Sequence, residues 1–97
     1  MSNLENAGTP ENLALPLKVY WQPGCSSCLK TKEFLLDHGI PFESVNVLED
    51  DEAFTELQAL GVRMVPIAAR GTTWANGAVF RDVAEVAGFE YEGHKML

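Results

Sequence analysis

Short apolar runs separated by turn residues set the architecture of this chain. Residues 17–21 read Leu-Lys-Val-Tyr-Trp, β-branched and aromatic, and Pro23-Gly24 closes the run, so the pattern predicts a strand entering a tight loop. After Cys25 the period changes. Lys30, Glu33 and Asp37 recur at helical spacing, Leu29, Phe34, Leu35 and Leu36 form a broad apolar face, and Gly39 and Pro41 stop the pattern, which predicts a helix over 26–38. Residues 42–47 alternate again as a second strand. Asp50, Asp51 and Glu52 then place negative charge on the first turn of another helix, with Ala53, Phe54, Leu57 and Leu60 on its buried side and Gly61 at its end. Residues 67–70 and 73–75 read as two strands joined at Gly71, and Val83, Val86 and Ala87 mark a last short helix.

The order β-α-β-α-β-β-α predicts an α/β domain. A strand, a crossover helix and a second strand form a right-handed parallel unit, and the closing hairpin adds antiparallel strands to the same sheet. The expected fold class is therefore a three-layer domain: a mixed four-stranded sheet with helices on both faces. Residues 1–16, rich in Asn, Glu, Gly and Pro, are expected to be a flexible arm, which leaves 17–97 as the domain.

Composition narrows the function. A chain of 97 residues with 46% hydrophobic content builds one core, so one site is expected. The net charge is -7, with the lysines and arginines scattered singly, which argues against a nucleic-acid partner. Residues 1–17 carry neither a positive charge nor a continuous apolar run, and no later stretch reaches membrane-spanning length, so the expectation is a cytoplasmic monomer with no membrane partner. In a reducing compartment, two thiols separated by two residues are catalytic or metal-binding rather than a staple. Zinc normally takes four ligands, and neither His38 nor His94 brings a second pair at metal spacing, so no metal is expected.

Gly24-Cys25-Ser26-Ser27-Cys28 falls where the first strand hands over to the first helix. Cys25 then lies beside the unpaired N–H groups of the first helical turn, which stabilise a thiolate. A free thiol titrates at about 8.5, and thiols at helix starts or in Cys-x-x-Cys pairs fall to roughly 3.5–7.5. Cys28 is one turn deeper, within reach of Cys25 and turned from solvent. These positions predict Cys25 as the attacking thiolate and Cys28 as the resolving thiol of disulfide exchange. Trp21, Trp74 and Phe80 are expected to be packing residues, with Trp21 also able to flank the thiol. Lys30 and Lys32 are expected to project into water.

The run Val-Tyr-Trp-Gln-Pro-Gly-Cys-Ser-Ser-Cys, with Thr31-Lys32, Phe34-Leu35 and Met64-Val65-Pro66, resembles the glutaredoxin family, the small branch of the thioredoxin fold. The resemblance spans residues 18–88. It implies a cis peptide bond before Pro66, which would face the active cysteine, and substrate contacts from Val65 and Pro66. It implies glutathione as co-substrate, with Arg63 meeting a glycyl carboxylate, Asn76 and Gly77 approximating the family's Gly-Gly step, and Asp82 supplying the carboxylate that follows it. The family's lysine three residues before the first cysteine is Gln22 here, and its common Cys-Pro-Tyr-Cys is Cys-Ser-Ser-Cys.

The implied activity is reduction of protein disulfides or small mixed disulfides with glutathione. One alternative is an electron donor recycled by thioredoxin reductase, favoured by Gln22 and the altered Gly-Gly region. Another is a binding protein holding a two-iron cluster between two subunits through Cys25 and glutathione.

Overall fold

The computed structural model describes residues 2–5 and 7–91. The elements in chain order are β1 (Ser2–Asn3), α1 (Pro10–Leu13), β2 (Lys18–Trp21), α2 (Ser26–Asp37), β3 (Glu43–Asn46), α3 (Asp51–Ala59), β4 (Ile67–Arg70), β5 (Thr73–Asn76) and α4 (Phe80–Ala87). The sheet order is β1-β5-β4-β2-β3. β2 and β3 are parallel, and the other pairs are antiparallel. The four expected strands thus form a mixed sheet, and the N-terminal segment adds a fifth at its edge.

Several described residues of the 1–16 segment, expected to be a flexible arm, contact the domain. Ser2 and Asn3 pair with Ala75 and Trp74, and the Thr73 hydroxyl donates to the Glu5 carbonyl at 2.9 Å. Ala7 is buried and Leu4 packs on the core. Thr9 caps α1 by accepting from the Asn12 N–H at 3.2 Å, with Pro10 in the first turn where its missing N–H costs nothing. The arm's polar composition conceals these few anchors. His94 lies outside the described residues.

Alternation along the strands builds two cores. Val19, Ala68 and Ala75 face α2 and α4, where Phe34, Leu35, Val83 and Val86 close the layer. Tyr20, Ile67 and Ala69 face the other way, against Ala53 and Leu57 of α3. Not every apolar residue placed on a buried face lies there. Leu29 and Leu36 are 57% and 66% exposed, and Phe54 is 50% exposed. On α2 the sheet takes the stripe Cys28, Thr31, Phe34 and Leu35 instead. One stripe of a helix meets the sheet, and this one includes the second cysteine.

Tyr20 shows how β2 is tied to α3. Its hydroxyl donates to Glu56 Oε1 at 3.0 Å, and the same oxygen lies 3.5 Å from Lys18 Nζ. Burial, then the Glu56 carboxylate, hold the phenol protonated well above the usual tyrosine range. The folded state therefore keeps this proton after the unfolded state loses it. The contribution is complete below pH about 10 and is lost as pH rises toward the folded value. Urea midpoints should fall more steeply above pH about 10 in the wild type than in Tyr20→Phe.

Candidate active site

β2 ends at Trp21, and Gln22-Pro23-Gly24 turns the chain, with Gly24 at φ 82°, a conformation that suits glycine. Cys25 is extended (φ -99°, ψ 102°) and is the N-cap of α2. Its Sγ accepts a hydrogen bond from the Cys28 N–H at 3.1 Å. A sulfur thus takes the capping role usually filled by a serine or aspartate oxygen, where the helix end favours negative charge. Cys25 and Cys28 are joined in a disulfide. Cys25 is half-buried, whereas Cys28 is 1% exposed. An incoming sulfur can reach only the first.

A hollow of about 370 Å³ opens over the pair, lined by Trp21, Gln22, Leu29 and Lys32 as well as both cysteines. Beside it lies a groove of about 600 Å³, lined by Gln22, Phe54, Leu57, Arg63, Met64 and Val65. Gln22 borders both. The structure therefore brings Gln22, Arg63 and Val65 to one groove next to the cysteines.

The Val65–Pro66 peptide bond is cis, and Pro66 is buried. Its carbonyl accepts from the Gly77 N–H at 2.8 Å, and the Gly77 carbonyl accepts from the Thr31 hydroxyl at 2.8 Å. That hydroxyl is also 3.0 Å from the Ser27 carbonyl one turn back on α2. Both backbone polar groups of Gly77 are thus engaged within the protein. Asn76 Oδ1 accepts from the Ala78 N–H at 2.9 Å, and Asp82, on the first turn of α4, lies 3.9 Å from Arg81 Nε. Asn76, Gly77 and Asp82 line neither of the two hollows.

Two residues matter more than their sequence context indicated. Thr31 links the cysteine helix to Gly77 and so to Pro66. Its signal was a threonine on the stripe of α2 shared by Cys28, Phe34 and Leu35. Lys32 does not simply project into water: it is half-buried, with Nζ 3.8 Å from the centroid of the Trp21 ring. Lys30 is exposed as expected. Among the described residues, no group of three or more His, Cys, Asp or Glu side chains is placed to hold a metal ion. No helix among them is long and apolar enough to cross a membrane.

Comparison with known proteins agrees with this architecture. The chain is 34% identical over 61 residues to the Gene 56 protein of Mycobacterium phage L5, covering 62% of this chain and 59% of the phage protein. It therefore spans less than two thirds of that relative. It is 32% identical over 69 residues to the N-acetyl-S-hydroxy-L-cysteine reductase of Bacillus subtilis, covering 70% of each. The structure superposes on NrdH-redoxin from Escherichia coli, a glutaredoxin-like protein described as having a thioredoxin-like activity profile, with a TM-score of 0.65. That match covers 80% of this chain and all of the other at 26% identity. The glutaredoxin family model matches residues 17–69, the stretch that carries the capping cysteine, its buried partner and the cis-proline, and the chain belongs to the glutaredoxin family.

Proposed function

We propose that the protein is a thiol-disulfide oxidoreductase in which Cys25 attacks and Cys28 resolves. The observation that carries this is the asymmetry of the pair: a half-buried sulfur capping a helix, bonded to a sulfur that solvent does not reach. In the reduced protein, the Cys25 thiolate bonds to one sulfur of a substrate disulfide, and the other sulfur leaves as a thiolate that takes a proton. Cys28 then loses its proton and bonds to Cys25 Sγ, which expels the second substrate thiolate. One disulfide becomes two thiols, and two electrons pass from the cysteine pair.

Substrate lies, in this reading, across the groove beside the cysteines. Val65 offers its backbone to an extended substrate, Pro66 sets the wall facing Cys25, and Gln22 and Arg63 meet polar groups at the borders. For a glutathionylated substrate, Asn76 and Asp82 are assigned to the glutamyl end. Gly77 seats Pro66.

The test needs no recycling system. Protein reduced and freed of reductant should convert one equivalent of hydroxyethyl disulfide to thiols while its own pair oxidises. Cys28→Ser should stop at the mixed disulfide, seen by mass as a stable adduct on Cys25. Reduced wild type that consumes no disulfide would overturn the reading.

A second reading concerns the electron source. The likeness to NrdH-redoxin, the glutamine at position 22 and the engaged backbone of Gly77 favour a reductase of the thioredoxin type over glutathione. Turnover with thioredoxin reductase and NADPH, and none with glutathione and its reductase, would select it. The reverse result would assign glutathione.

A further inference from the structure

The hollow over the cysteines contains one charged side chain among the described residues that line it, that of Lys32. This is notable in a chain of net charge -7, whose overall field repels anions. The ammonium is held by the Trp21 indole, 3.8 Å from the ring centroid, and no carboxylate among the described residues pairs with it. No ion pair within 4 Å among the described residues therefore neutralises it. A cavity of this volume is roughly 9 Å across, so everything in it lies within the ~10 Å screening length of moderate salt. Trp21 and Lys32 belong to different elements, β2 and α2, and meet across the loop that carries Cys25.

We propose that Lys32, braced on Trp21, is a specificity-determining residue that favours small disulfides carrying a carboxylate near the sulfur. The inference rests on Cys25 being the attacking thiol. Attack brings the substrate's sulfur into the hollow, and the charge nearest that sulfur meets the ammonium there. It supplies at another position the cation absent at Gln22, and it acts on the substrate's charge.

The test compares three disulfides of different charge on reduced protein: dithiodipropionate, hydroxyethyl disulfide and cystamine, which are anionic, neutral and cationic. Oxidation of the Cys25–Cys28 pair is quenched with maleimide and read by mass spectrometry. Taking the ratio of anionic to neutral rates removes any change in the thiol itself. This ratio should fall about two- to fivefold in Lys32→Gln, the range expected of a partly exposed charge pair. It should be retained in Lys32→Arg, whose guanidinium also stacks on tryptophan, and fall part of the way in Trp21→Leu. Added salt should lower the wild-type ratio relative to that of Lys32→Gln, in which salt screens only the repulsion from the net negative charge.

An unchanged ratio in Lys32→Gln, with hydroxyethyl disulfide still reduced, would overturn the role of Lys32 and leave the oxidoreductase reading standing. Failure of all three disulfides to oxidise the wild type would overturn both.

Discussion

Cys25→Ser is expected to abolish disulfide reduction while leaving the fold intact. The nucleophile in exchange is the thiolate, and a serine hydroxyl stays protonated near neutral pH and forms no exchangeable bond to sulfur. The rate should fall by more than about a thousandfold, as removal of a covalent nucleophile does elsewhere. Serine is, however, among the best N-cap residues, and its oxygen can accept from the Cys28 N–H as Sγ does. The reduced variant should therefore unfold within about 1 kcal/mol of the reduced wild type. Reduced samples are the right comparison, because the disulfide itself is lost in the variant. Turnover of hydroxyethyl disulfide and a urea melt, measured on the same preparation, give the two results side by side. A folded variant with full activity would remove Cys25 from the chemistry.

That cysteine was legible in the sequence because its signal is local. A β-branched run, a Pro-Gly turn and a Cys-x-x-Cys pair at the start of a helical period place the sulfur without knowledge of distant contacts. The strands and long helices were legible for the same reason. Other features depend on which long-range neighbour a side chain meets. Phe54 follows an apolar period, yet it lies beside a groove rather than in the core, so it stays half exposed. Residues 1–16 read as a flexible polar arm. The described contacts within that segment, the pairing of Ser2 and Asn3 with β5 and single contacts such as Thr73 to Glu5, are ones that composition does not encode. Lys32 has the spacing of a solvated residue. It lies over Trp21 because the tight loop at 22–25 brings α2 back beside the end of β2, which helix spacing alone does not reveal.

Gly77→Ala is the second substitution expected to have a large effect, and its cause is space rather than backbone conformation. Gly77 does not have the positive φ that makes Gly24, Gly39 and Gly61 hard to replace. A Cβ at position 77 would instead lie 2.7 Å from Pro66 Cβ, 2.8 Å from Pro66 Cγ and 2.8 Å from Thr31 Oγ1. None of these atoms can swing aside cheaply. The proline carbons belong to a ring fused to the backbone, and the Thr31 oxygen is engaged with the Gly77 carbonyl at 2.8 Å. Relief must come from moving the Pro66 segment away from α2, with an overpacking cost of about 1–3 kcal/mol. For a domain of this size that corresponds to a fall in Tm of roughly 5–20 °C. Gly8→Ala, whose added methyl meets nothing within 4 Å, should stay within about 0.5 kcal/mol of the wild type and serves as the control. The same displacement separates two functions of the site. Iodoacetamide labelling of reduced Cys25 depends on the start of α2 and should change little in Gly77→Ala. Single-turnover reduction of a disulfide, for which the proposed substrate position uses the Val65–Pro66 wall, should slow by at least about tenfold, the loss expected when a positioning surface shifts by a fraction of an ångström to an ångström. Equal losses in labelling and reduction would instead mean that the damage reaches Cys25 through α2, and that Pro66 has no separate part in holding substrate.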